Sequence, residues 1–212
     1  MRTKALRSRI GLLLLIAVLA AIAATDVHAQ TLSGAALANA LRDGGYVLVM
    51  RHANSPAALP ERANAEPDNV KLERQLDETG KSTARAMGEA MKASRIAIGD
   101  VLSSPTFRAR QTMQLAGFGA PRAFPELDEG GAAMESNADR MRSEWLRAKS
   151  AETPRAGANT IIVTHSPNIT GAFGRAVSDA AMGETLVFKP DGKGAAVMVA
   201  RVKIQEWPAL AR

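Results

Sequence analysis

The sequence predicts an α/β fold: a three-layer sandwich with a mostly parallel central sheet and helices on both faces. Three observations carry that prediction. Short β-branched apolar runs, Tyr46–Met50 and Thr160–Thr164, alternate with longer segments of helical periodicity. Gly44-Gly45, Ser104-Pro105 and Ser166-Pro167 punctuate the joints between them. Each apolar run also ends in an imidazole, His52 after Arg51 and His165 directly. A strand ending this way places its histidine at the sheet's carboxyl edge, where open α/β sheets bind ligands.

Taken in chain order, residues 1–29 read as a secretory signal. Arg2, Lys4, Arg7 and Arg9 form a basic start, the uncharged run Ile10–Ala24 spans 15 residues, and Val27-His28-Ala29 offers a cleavage site. The run is shorter than the ~20 residues of a membrane span. Cleavage, with a periplasmic or secreted product, is therefore expected over retention as an anchor. No cysteine follows the run, which excludes lipid attachment through one. Residues 30–212 remain, 183 in number, enough for one well-buried domain.

Ser33 can cap a helix with Leu37 and Leu41 on one face, stopped by Gly44-Gly45, and the strand Tyr46–Met50 follows. Residues 54–72 are polar and carry Pro56, Pro60 and Pro67, which predicts a long loop. A helix is expected from Asp77 to Ser94, its Ala84, Met87, Ala90 and Met91 recurring as a core face. Ile96–Leu102 reads as a strand interrupted at Gly99-Asp100. Ser104 and Pro105 read as the cap and first residue of a helix reaching Leu115. A loop over Gly117–Ala133 precedes a charged helix, Ser136–Lys149, with Met141, Trp145 and Leu146 to pack. After Thr160–Thr164, Ser166-Pro167 form a second cap and first-residue pair. Thr185–Phe188 and Ala195–Ile204 close the chain as a hairpin joined through Pro190–Gly194.

Composition removes several function classes. Without the signal the balance is 23 basic against 20 acidic residues, so the net charge drops from +6 to +3. Aromatics are few and no basic run follows residue 10, so no nucleic-acid partner is expected. Cysteine is absent, which rules out disulfides, a thiolate nucleophile and Cys-ligated metal. No metal or cofactor is expected, and no membrane span once the signal is gone.

Three strand-to-helix junctions carry basic or titratable groups: Arg51-His52, Arg108 after Ser104-Pro105, and His165. Arg108 falls in a first helical turn, near free N–H groups and the positive end of the helix dipole, whereas arginine ordinarily prefers the opposite end. Such a gathering repels itself unless an anion sits among the groups. Phosphate suits it best, because the guanidinium fork matches phosphate oxygens in pairs. An imidazole is then the natural attacking group, splitting hydrolysis into transfer to nitrogen and release to water. A leaving alkoxide needs a proton, and Glu126, Asp128 and Glu129 are the carboxyl groups of the adjacent Gly-containing loop.

These residues also carry a resemblance. Arg51-His52-Ala53 resembles the Arg-His-Gly signature of the histidine phosphatase superfamily, branch 1, the phosphoglycerate-mutase-like proteins. Leu76–Gly80, Ser104–Thr112 and Val163-Thr164-His165 are similar, in order, to three further family segments. The resemblance implies that His52 is the nucleophile and that Arg51, Arg108 and His165 hold the phosphoryl group. It maps the proton donor to Glu129, with Glu126 as the substitute. Asn54 is a candidate phosphate ligand, while Lys71, Arg74 and Arg110 read as surface charges, with a substrate contact left open for Lys71 and Arg74 by the long loop. The sequence departs from the family at Ala53, where glycine is usual, and at Ser166-Pro167-Asn168. The expected activity is an exported, metal-independent phosphatase acting on a small phosphorylated substrate or an envelope phosphoester through a phosphohistidine. A phosphomutase of the same fold and a non-catalytic phosphate-binding module are the rival readings.

Overall fold

The structure, a computed structural model, describes residues 31–56, 73–129 and 136–210. Contacts divide the chain into Met1–Gln30, outside the described residues, and Thr31–Arg212, to which all that follows belongs. The expected signal, most of the 54–72 loop with Lys71, and Gly130-Gly131 also lie outside the described residues.

The first element among the described residues is helix α1 (Gly34–Asp43), which buries Leu37, Ala38 and Leu41. Gly44 ends it at φ 82°, in the left-handed region that glycine tolerates. A side chain there would also strike Ala158, whose backbone nitrogen lies 2.6 Å from the place of a Cβ. Strand β1 (Val47–Arg51) follows and leads to helix α2 (Glu78–Ala93). The side chain of Asp77 caps α2 by accepting from Gly80 N–H at 2.7 Å. Strand β2 (Ile98–Ser103) carries a register shift between Ile98 and Asp100, at the break expected from Gly99-Asp100. Helix α3 (Phe107–Leu115) and the two-residue strand β3 (Arg122–Ala123) come next. Helix α4 (Ser136–Ser150), strand β4 (Asn159–Thr164) and helix α5 (Ser166–Phe173) precede the hairpin of β5 (Thr185–Pro190) and β6 (Ala196–Val202), and the short helix α6 (Trp207–Leu210) ends it.

Among the described residues six strands form one sheet in the order β3-β2-β4-β1-β5-β6. β3, β2, β4 and β1 run parallel, and β5 and β6 add an antiparallel flank. Alternation along β1 builds both faces. Leu48 and Met50 join a core with α1, α2, α3 and Trp207; Val47 and Val49 join another with Leu146 of α4 and Ile169 and Ala172 of α5. Each such side chain, once buried, contributes about 1.5–3 kcal/mol. The three layers expected from the sequence are thus present, and Met87 and Met91 are core residues. Met141 differs from expectation: it is 61% exposed, and Leu146 supplies the buried contact of α4. Among the described residues no helix is long and apolar enough to cross a membrane.

From β1 the chain crosses to β2 on one side of β4, whereas from β4 it passes to β5 on the far side of β1. The connections leaving β1 and β4 run in opposite directions over opposite faces of the sheet, α2 in one core and α5 in the other, and leave a crevice between the two strand ends at the carboxyl edge.

Candidate active site

The site starts from strand register. In the parallel ladders, Arg51 stands opposite Thr164, and Ser103 opposite Val163. The pairing runs one residue further: His52 N–H donates to Thr164 O at 3.1 Å and Ser104 N–H to Val163 O at 2.8 Å. His52, Ser104 and His165 consequently leave the sheet at one level. The two imidazoles are each 1% exposed and pack edge to face with centroids 5.2 Å apart.

Their neighbours assign their protons. His52 Nδ1 lies 2.8 Å from Ala53 O. A carbonyl only accepts, so Nδ1 carries the hydrogen and Nε2 presents its lone pair. That lone pair receives Arg108 Nε at 3.3 Å, and Arg74 Nη2 stands 3.4 Å away. His165 takes the opposite tautomer. Its Nδ1 accepts from Arg108 Nη2 at 3.2 Å, and its Nε2–H donates to Ser104 Oγ at 2.9 Å. Burial, reinforced by the charges of Arg108, Arg74 and Arg51 against the bond to Ala53 O, pushes His52 down to about 3. It is a neutral nitrogen base throughout the physiological range.

Arg108 is the hub. It is 5% exposed, the second residue of α3, and its Nη2 also binds Glu129 Oε2 in an ion pair. Arg51 extends from the end of β1, donates Nη1 to Ala180 O at 2.9 Å, and buries Nε without a hydrogen-bond partner. Burial lowers both guanidiniums from their ordinary value; the charge of Arg74 adds to this and that of Glu129 opposes it. Arginine's high reference value keeps them cationic. The result is a set of donors around one lone pair, an arrangement suited to a tetrahedral oxyanion.

The structure brings His52, His165, Arg108 and Glu129 into one bonded group, with Arg51 beside it. Asn54 is engaged differently: its amide donates to Asp77 Oδ2 at 2.6 Å, joining the end of β1 to the cap of α2. Glu126 has a buried Oε2 with no hydrogen-bond partner, and the ion pair to Arg108 is made by Glu129. Ala53 is fully buried and lies outside the positive-φ residues, so alanine takes the glycine position without backbone strain. Asn168 answers the other departure from the family. It donates to Asp128 O at 2.9 Å and Thr164 Oγ1 at 2.8 Å, while Thr164 donates to Leu127 O at 2.8 Å. This clamp holds the 127–129 segment against the end of β4.

The structure adds several residues to this group. Arg74, which the sequence leaves between a surface charge and a substrate contact, faces His52. Glu73 is 6% exposed and accepts from Phe107 N–H at the start of α3. Gln111 accepts from Leu76 N–H at 3.0 Å, and Thr112 accepts from Ala53 N–H at 3.2 Å. The last two belong to the Ser104–Thr112 segment and knit β1, α2 and α3 together. Arg74 had a signal too, its place at the close of a long loop next to a motif.

Residues 47–157 match the family model described as histidine phosphatase superfamily (branch 1). Among solved structures, the protein histidine phosphatase SixA complexed with tungstate is similar over 76% of this chain and 98% of that one, with 21% identity and a TM-score of 0.56. A variant of the phosphoserine phosphatase from Entamoeba histolytica, in complex with phosphoserine, is similar over 76% and 98%, with 11% identity and a TM-score of 0.51. No curated protein matches the sequence. At these identities the structural likeness establishes the fold.

Proposed function

Since this chain belongs to branch 1 of the histidine phosphatase superfamily, we propose that it is an exported, metal-independent phosphatase that hydrolyses phosphomonoesters through a phosphohistidine at His52. The observation that carries the proposal is the tautomer of His52. Nδ1–H is committed to Ala53 O, and the Nε2 lone pair is turned to the guanidinium donors of Arg108 and Arg74.

The substrate phosphoryl group enters among Arg51, Arg108 and His165. Nε2 forms a bond to phosphorus as the ester P–O bond breaks, its electron pair leaving with the ester oxygen. Charge on the three equatorial oxygens is met by the preorganised guanidiniums, the larger part of catalysis in phosphoryl transfer. Glu129 supplies a proton to the departing oxygen. Water then attacks phosphorus, the P–N bond breaks, and its electron pair returns to Nε2 as the water proton passes back to the carboxylate. Export rests on the N-terminal pattern of residues 1–29, and a start near Gln30 in exported protein would support it.

One observation favours a second reading of the substrate. Glu129 is already engaged by Arg108 through its Oε2, so that oxygen is not turned freely to a leaving group. Substrates whose leaving atom demands less of that acid, such as a phosphorylated histidine of another protein, suit this arrangement.

The deciding experiment follows an aryl phosphate with the mature protein in chelator, with alkaline and acid quenches. Turnover together with a phosphoenzyme stable in alkali and lost in acid is expected, and His52→Ala should abolish both. Robust turnover by His52→Ala would reject the mechanism. Phosphate binding without turnover of any ester would leave the binding module.

A further inference from the structure

We infer that Arg74 belongs to the phosphoryl cage as a third guanidinium that contacts the transferring group; the inference rests on the reading of His52 as the phosphorus acceptor. Arg74 lies on the short segment ahead of α2, and that segment is pinned along its length. Glu73 accepts from Phe107 N–H, Leu76 N–H donates to Gln111 at 3.0 Å, and Asp77 N–H donates to Asn54 O at 3.2 Å.

The guanidinium itself is aimed by a serine. Ser55, fully buried, donates its hydroxyl hydrogen to Gln75 O at 2.7 Å. Its oxygen lone pairs are then turned to Arg74 Nε, which donates to them at 3.1 Å. With Nε held, the plane of the fork is set, and Nη2 comes to 3.4 Å from His52 Nε2. Arg74 thus approaches the attacking nitrogen from the α2 side, while Arg108 approaches it from α3 and Arg51 extends from β1.

The location fits the chemistry of transfer. When Nε2 bonds to phosphorus and the ester oxygen departs with the P–O electron pair, negative charge is spread over three equatorial oxygens around phosphorus. Arg108 and Arg74 flank that position, and the charge of Arg51 also bears on His52. Without an anion they repel one another, and the charge of Arg74 bears on both Arg51 and Arg108. A surface arginine has no need of a buried serine to orient it toward a buried, neutral imidazole. The same contact serves both half-reactions, because each passes through the same phosphoryl geometry at Nε2.

The test measures phosphoenzyme formation and breakdown in alkali-quenched single turnovers, and inorganic phosphate binding by calorimetry, for wild type, Arg74→Ala, Arg74→Lys and Ser55→Ala. Arg74→Ala should slow both half-reactions by about 10²-fold, as removal of one preorganised donor does, and should weaken phosphate binding. Lysine keeps the charge but cannot serve Ser55 and a phosphoryl oxygen as one fork, so Arg74→Lys should recover part of the loss. Ser55→Ala should give a smaller loss of the same kind, and the double variant should be no worse than Arg74→Ala, because Ser55 acts through Arg74. Rates and phosphate affinity of Arg74→Ala within about threefold of wild type would overturn the inference. So would losses in Arg74→Ala that Arg74→Lys does not lessen, accompanied by earlier thermal unfolding of both. If wild type forms no phosphoenzyme, the reading of His52 fails; phosphate binding by wild type and Arg74→Ala still judges Arg74, with equal affinity counting against it.

Discussion

A carbonyl oxygen can only accept and a guanidinium can only donate, so Ala53 and Arg108 between them set the two imidazoles to opposite tautomers. Ser104 completes the second of these choices by accepting Nε2–H of His165, and it accepts from Thr106 N–H at 3.2 Å as well. Ser104→Ala removes that acceptor within a buried site and frees His165 to change tautomer. The variant should lose about 10–100-fold in turnover, the usual effect of deleting a group that orients a functional histidine. Ser104→Thr, which keeps a hydroxyl, should recover activity, and failure to do so would point to packing. Glu129 is the other residue whose role turns on a single partner. Glu129→Gln should hurt alkyl phosphates more than aryl ones, because only the former need a proton delivered. It should also tighten inorganic phosphate binding, since the carboxylate no longer competes for Arg108. Equal losses on both ester classes would assign the proton to another group.

At the level of elements, the site is made by the meeting of three strand ends and two helix starts. The strands were legible because β-branched runs have few other uses, and the histidines that close them followed directly. The start of α3 was not. Ser104 and Pro105 read as cap and first residue, yet the helix begins at Phe107 with Thr106 at the cap position. The reason is competition: Ser104 Oγ serves His165 and a local turn, while the N–H of Phe107 is taken by Glu73, 34 positions away. Likewise α5 is capped at His165, one residue before the expected Ser166. Gly80 gives this level its test. It sits in the first turn of α2, where an added Cβ would fall 2.1 Å from Asn54 O. Gly80→Ala must push α2 from the end of β1, costing roughly 1–3 kcal/mol as overpacked sites do. Denaturant unfolding should record the loss together with lower activity, and a variant of wild-type stability would mean that α2 shifts freely.

For the molecule as a whole, the site is a stability liability in acid. His52 is lowered from 6.5 to about 3 by burial and neighbouring cations. Between those values the unfolded chain binds a proton that the folded chain does not. Stability is therefore undiminished by this group above pH 6.5 and falls as pH drops toward 3, by up to about 1.4 kcal/mol per pH unit. Comparing wild type with His52→Asn between about pH 7 and pH 4, the variant should lose less stability on acidification. Parallel losses would assign the acid sensitivity to carboxylates instead.

Layering, the strand-terminal histidines and the ordered motifs around Arg108 could be read from the chain because periodicity and local sterics operate over a few residues. Partnership could not. Whether Arg74 meets solvent or His52, whether Asn54 serves a ligand or the cap of α2, and which acid reaches Arg108 all depend on strand register. Register joins Arg51 to Thr164 and Ser103 to Val163, residues far apart in sequence. The hydrogen bonds that follow go to whichever donor or acceptor the packed layers leave within reach. Local pattern supplied the chemically capable side chains, and the fold assigned each of them its partner.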